Sequence, residues 1–137
     1  MIKISRITEI AEVLKCLPFE REIRKKGRDD TRESKMLLFI ESQIANPCFG
    51  FWMAYDEGQI KGYSSAILSF VPGVERAHLL RIYAKSREVR DLLEKTMIDW
   101  AKSYNMKIVQ MTVINNVKAL QRRYGFLPVS VNMERRL

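Results

Sequence analysis

Between Leu79 and Lys95 the sequence LLRIYAKSREVRDLLEK passes from strand-like alternation to helical periodicity within a few residues. Such a strand-to-helix junction commits the chain to a mixed α/β architecture. In many folds of this class the turn is glycine-rich and holds a phosphate on free backbone N–H groups. This junction contains no glycine; it carries Lys85, Arg87 and Arg90, with Glu88 among them.

The pattern on either side is clear. Val74 to Ala84 reads as a strand, preceded by a turn at Pro72-Gly73. Val89, Leu92, Leu93, Thr96, Met97, Trp100, Ala101 and Tyr104 then recur at three- and four-residue spacing, which predicts a long amphipathic helix with Ser86 as its N-cap and the Trp100 stripe packed in the core. Lys107 to Ile114 is expected to be a strand, Asn116 to Tyr124 a short helix closed by Gly125, and Leu127 to Leu137 a last strand with Val129, Val131 and Met133 on one face.

Upstream, Ile2 to Ile7 alternates as a short strand. Thr8 can cap a helix whose apolar face is Ile10, Val13, Leu14 and Leu17 and which Pro18 ends. The charged run EREIRKKGRDD, Glu20 to Asp30, reads as a helical extension or a mobile loop. Asp30 with Glu33 matches a capping box opening a helix with Leu37, Ile40 and Ile44 on one side, stopping at Asn46-Pro47. FGFWMAY and QIKGYSSAILSF are two strands joined by the hairpin-turn residues Asp56-Glu57-Gly58. The resulting order is β-α-α-β-β-β-α-β-α-β in one domain of 137 residues, a chain long enough to bury a core.

Hydrophobic residues at 47% and charged residues at 29% describe an ordinary globular protein, and no apolar run has the length of a membrane span. The amino terminus lacks the apolar block of a signal peptide, and Cys16 and Cys48 have neither metal-ligand nor disulfide-framework spacing, so both are expected to be packing residues of a protein in the reducing cytoplasm. The net charge of +8 points to an acidic partner: nucleic acid, an anionic cofactor or an acidic substrate. Arg21, Arg24, Lys25, Lys26 and Arg28 form one basic cluster, either a solvated face or an anion site, and Arg122, Arg123, Arg135 and Arg136 form another. Neither cluster has the interleaved aromatics that stack bases, which weakens a nucleic-acid reading.

The element order resembles the GNAT superfamily of acyl-CoA-dependent N-acyltransferases, a mixed and mostly antiparallel sheet flanked by helices. Three segments carry the resemblance: the hairpin FWMAYDEGQIKGYSSAIL with Gly62 where the family's second hairpin strand usually has glycine; the long helix ending AKSYN before a strand; and NNVKALQRRYGF, similar to the family's N-x-x-A … G-F at Asn116, Ala119, Gly125 and Phe126.

The resemblance implies acetyl-CoA, or another acyl-CoA, as co-substrate, an amine acceptor, and no metal. It implies that the pantetheine arm lies between two splaying parallel strands, here Val74 to Ala84 and Lys107 to Ile114, with Arg81, Ile82 and Tyr83 as backbone contacts. At the pyrophosphate position the family pattern R/Q-x-x-G-x-G/A is absent, and Lys85, Ser86, Arg87 and Arg90 are left as its ligands, with Asn116 a further cofactor contact that the resemblance implies. Acyl transfer needs a base for the amine and an acid for the thiolate. The family's usual tyrosine is Gln121 here, so Tyr124 is the candidate acid, with His78 and Glu75 as candidate bases; His78 is expected on the face shared by Leu80 and Ile82. A catalytically degenerate GNAT-like binding or assembly protein is the alternative that the missing glycines favour. Sheet edges in the hairpin and the last strand would allow a homodimer.

Overall fold

The computed structural model describes residues 1–26, 33–111, 117–127 and 135. Among these, β1 (Ile2–Arg6), β2 (Phe49–Asp56), β3 (Gln59–Ser69), β4 (Arg76–Ala84) and β5 (Val109–Met111) form one sheet in sequential order. β1 to β4 are antiparallel neighbours, and β5 joins β4 in parallel. A parallel neighbour requires a long crossover, and helix α4 (Arg87–Ser103) supplies it. The β2–β3 hairpin turns on Glu57 and Gly58, both at positive φ (51° and 76°), the primed geometry whose twist matches that of the strands.

Helices cover both faces. α1 (Ile10–Val13), α2 (Leu17–Lys26) and α3 (Glu33–Gln43) lie on one, where Val13, Cys16, Phe19, Met36 and Ile40 pack on Phe49, Phe51, Met53 and Tyr63. On the other face Val89, Leu93 and Met97 of α4 pack on Trp52, Ala54, Ala66 and Leu79. β2 therefore contributes to both cores by simple alternation, Phe51 and Met53 to one, Trp52 and Ala54 to the other. Trp100 meets Trp52 edge-on at 5.0 Å, within the stripe expected to be core, whereas Tyr104 at its end is exposed. Cys16 is buried and Cys48 half-buried, and neither is in a disulfide.

Several boundaries differ from the sequence expectation. Glu9, not Thr8, is the N-cap of α1, and it makes no side-chain cap bond. Pro18 does not end the helical run: a 3-10 turn at Leu14–Cys16 leads into α2, and Pro18 falls in the first turn of α2, where its missing N–H would have had no intrahelical acceptor. β4 begins at Arg76, because Val74 N–H closes a turn onto Val71 O at 3.0 Å. β5 begins at Val109; Ile108 contributes only its carbonyl, to Ala77 N–H at 3.0 Å. Helix α5 (Val117–Tyr124) is closed by Gly125 at φ 70°, as expected. Asp30 of the capping box, Thr112 to Ile114, Asn116, and Val129, Val131 and Met133 of the expected last strand lie outside the described residues.

Candidate functional site

The site is built on β4. Among the described residues its pairing with β5 joins Ala77 with Val109, His78 with Gln110 and Leu79 with Met111. On the β3 side Arg81 pairs with Ser65 and Leu79 with Ala66, so Leu80 is an extra residue, a bulge with no partner on β3. Beyond it, Leu80 to Ala84 have no β5 partner among the described residues. Arg81, Ile82 and Tyr83, the expected backbone contacts, lie in this segment, paired with β3 on one edge.

The bulge also corrects the placement of His78. Strict alternation put it on one face with Leu80 and Ile82. Instead His78 lies opposite Ile67, which packs against the core under α1–α3, while Ile82 lies opposite Ser64 and packs under α4. One inserted residue exchanges the faces of everything that follows it.

β4 then enters the glycine-free junction. Lys85 N–H donates to Lys61 O at 2.9 Å, and Lys61 is itself the residue that β3 bulges out opposite Ala54 and Tyr55. Ser86 is extended (φ −142°, ψ 161°), and its Oγ accepts from Val89 N–H at 3.3 Å, an N-cap as expected. Arg87 and Glu88 follow, exposed, their N–H groups lacking intrahelical acceptors. Gly62 is what lets β3 and the junction approach: a Cβ there would stand 2.4 Å from Tyr83 O, 3.0 Å from Val89 Cγ1 and 3.1 Å from Ala84 Cα.

Of the expected anion ligands, Lys85 and Arg87 are exposed, with Lys85 Nζ 5.0 Å from the centre of the Phe19 ring. Arg90 is engaged within the protein. Its guanidinium pairs with the buried carboxylate of Glu94 and lies 3.8 Å from the ring centre of Tyr124. Tyr124 Oη in turn donates to Asp91 Oδ1 at 2.8 Å. These contacts tie α5 to the first two turns of α4. Asn116 lies outside the described residues.

The three candidate acid–base residues are not brought together. Glu75 is exposed in the turn before β4, and half-buried His78 sits where β4 and β5 are paired. Tyr124 is at the other end, against Asp91; from His78 to Ala84 the strand alone spans about 20 Å.

A carboxylate that the sequence reading passed over lies beside β4. Glu22 of α2 accepts a hydrogen bond from Tyr83 Oη at 2.6 Å. The Tyr83 ring continues an aromatic row, 5.1 Å from Phe19 and 6.3 Å from Tyr63, which stacks on Phe51 at 5.6 Å. Burial, with the Glu22 hydrogen bond and charge, pushes the Tyr83 phenol up to about 12. Within EREIRKKGRDD no local signal marks Glu22; the packing of α2 on β4 brings it to Tyr83.

No protein-family model matches the chain, and no curated protein sequence does. Solved structures do match. A predicted acetyltransferase from Clostridium acetobutylicum, crystallised with acetyl-CoA, shares 14% identity over 99% of this chain and 96% of that one, with a TM-score of 0.78. The glucosamine-6-phosphate N-acetyltransferase of Arabidopsis thaliana matches at 15% identity over 99% and 98%, with a TM-score of 0.70. AAC(6')-Iy, solved with the bisubstrate analogue CoA-S-monomethyl-acetylneamine, matches at 16% identity over 100% and 98%, with a TM-score of 0.74. With its five-stranded sheet, its parallel β4–β5 pair and its α4 crossover, this chain has the GNAT acetyltransferase fold.

Proposed function

We propose that the protein is an N-acyltransferase that takes an acetyl or other acyl group from acyl-CoA and transfers it to an amine by direct attack. The observation that carries this reading is the segment of β4 from Leu80 to Ala84, which has no β5 partner among the described residues and ends at a capped helix N-terminus flanked by the exposed cations Lys85 and Arg87. An extended amide chain is satisfied by a strand edge without any particular side chain, so the backbone of Arg81, Ile82 and Tyr83 fits a pantetheine arm. The N-terminus of α4 with Lys85 and Arg87 fits a pyrophosphate, whose charge favours both the helix dipole and the cations. Bound there, acetyl-CoA supplies its acyl group as an activated thioester. The solved neighbours that carry acetyl-CoA or a CoA analogue support the same reading.

Calorimetric titration with acetyl-CoA tests it. Saturable binding weakened by Arg87→Glu is expected; no heat at millimolar ligand would refute it.

A second reading, a GNAT-like binding protein without turnover, is favoured by the engagement of Arg90 with Glu94 and of Tyr124 with Asp91, together with Gln121 at the acid position. Turnover of any amine with acetyl-CoA, followed by thiol release, would eliminate it.

A further inference from the structure

We infer that the end of the sheet made by the β3–β4 turn, the C-terminus of α4 and the start of β5 docks on an anionic lipid surface, with Phe70 and Val71 entering the interface. The inference is independent of the acyltransferase reading, because it concerns the opposite end of β4.

The turn between β3 and β4 reads Phe70-Val71-Pro72-Gly73-Val74, a run without a charged or hydroxylated side chain. Surface turns ordinarily draw on polar residues, yet Phe70, Val71, Val74 and Ile108 are between 45% and 58% exposed, and Tyr104 is exposed as well. These side chains share one end of the molecule. Phe70 meets Tyr104 edge-on at 6.4 Å, Val74 N–H closes the turn onto Val71 O at 3.0 Å, and Ile108 O accepts from Ala77 N–H at the foot of β4. Beneath them Leu68, Ala77, Ala101 and Met106 are buried together, so the patch stands on packed structure. Its tip projects: Pro72 and Gly73 are exposed, and a Cβ on Gly73 would meet nothing within 4 Å.

The charges around the patch select its occupant. Lys102 and Lys107 are exposed, close in the chain to Tyr104 and Ile108, and Arg76 follows the turn, its Nε donating to Val74 O at 3.0 Å. Glu75 is the acid of that turn, and Asp99, three residues before Lys102, is taken by Lys95. Apolar side chains flanked by cations match an anionic bilayer, whose interface admits the former and whose headgroups attract the latter. A tyrosine at the border suits the same boundary, its ring toward the acyl chains and its hydroxyl among the headgroups. A second copy of the chain fits worse. A two-fold contact would set these cations against their own equivalents, and so few apolar side chains fall well short of the roughly 20–30 residues a side of a stable interface. No described helix is long and apolar enough to cross a membrane, and docking on its surface requires none. From Arg76 to Ala84 the strand spans about 25 Å, so docking leaves the N-terminus of α4 at the end remote from the lipid.

The test is co-sedimentation of the full chain with large unilamellar vesicles, of phosphatidylcholine alone and of a two-to-one mixture of phosphatidylcholine and phosphatidylserine, at low and at high salt. At low salt the anionic vesicles are expected to bind roughly tenfold more tightly than the neutral ones, and high salt to erase most of that difference. Val71→Asp is expected to weaken binding to anionic vesicles by roughly tenfold or more while leaving the melting temperature unchanged, because Val71 is exposed. Lys102→Glu with Lys107→Glu is expected to weaken it similarly. Arg122→Glu with Arg123→Glu, on the exposed side of α5, makes the same change in net charge elsewhere and is expected to cost far less. Absence of binding to anionic vesicles at low salt, equal binding to neutral and anionic vesicles, an unchanged affinity in Val71→Asp, or an equal loss from both charge-reversed pairs would each overturn the docking face. Self-association of the lipid-free chain that Val71→Asp abolishes, followed by sedimentation velocity, would assign the face to a second copy and overturn it too.

Discussion

The hydroxyl of Tyr83 donates to Glu22 Oε2 across 2.6 Å, joining residues 61 positions apart and fastening α2 to β4. This bond gives the fold a defined response to alkaline pH. In the unfolded chain the phenol loses its proton near pH 10, about the value for free tyrosine. In the folded chain burial and Glu22 raise that value to about 12. Between those values the native state retains a proton that the unfolded state has lost, so the contribution is fully present below about pH 10 and is lost as pH rises through about 12. Denaturant midpoints of the unaltered protein and of Tyr83→Phe are expected to differ most at neutral pH and to converge in that window. A gap independent of pH would contradict the assignment.

Gly62→Ala tests the close approach of β3 to the junction. The new Cβ would meet the Tyr83 carbonyl at 2.4 Å and the Ala84 Cα at 3.1 Å, both backbone, so neither can swing aside. A loss of roughly 1–3 kcal/mol is expected from overpacking, read as a lower denaturation midpoint. A neutral substitution would mean that the strands separate there without cost.

Ser86→Ala removes the acceptor for Val89 N–H at the start of α4. Loss of such a cap costs about 1 kcal/mol, and Ser86→Asp, which restores an acceptor, is expected to recover most of it in the same denaturation series.

Arg90 pairs with Glu94, whose side chain is 8% exposed against 21% for the arginine. Arg90→Gln leaves that carboxylate without its guanidinium partner, a change that costs roughly 3–5 kcal/mol for a fully buried pair and less here because the arginine side is partly solvated. The double variant with Glu94→Gln is expected to be more stable than Arg90→Gln alone, as thermal melts would show.

Arg87 is exposed beside the N-terminus of α4. Its reversal to Glu is expected to weaken acetyl-CoA by roughly 10- to 100-fold, the worth of a charge-assisted bond, while leaving the melting temperature nearly unchanged. Calorimetry at two salt concentrations would check this, since the unaltered protein should lose more affinity in high salt than the variant does.

The sequence by itself determined the elements whose signals are local. Asp56-Glu57-Gly58 turns the hairpin because glycine tolerates the positive φ that the turn demands, and Ser86 starts α4 because its side chain can reach Val89 N–H. The α4 stripe put Val89, Leu93, Met97 and Ala101 into the core because helical periodicity is a property of neighbours in the chain. Pro18 does not end the helical run because its effect depends on which helical turn it occupies, and α2 begins one residue before it, after a 3-10 step. His78 changed faces because alternation presumes an unbroken register, and β3 leaves Leu80 without a partner. Glu22 became part of the site, and Arg90 and Tyr124 became engaged with α4 partners, through contacts between elements that no spacing rule connects. The sequence by itself determined which strands and helices form and in what order, since periodicity and turn chemistry are decided within a few residues, while contacts between elements shifted several of their ends. Only the tertiary structure decided which side chains gather on each face of β4, because one bulge and one helix docking reassign faces over distances that the local pattern does not carry.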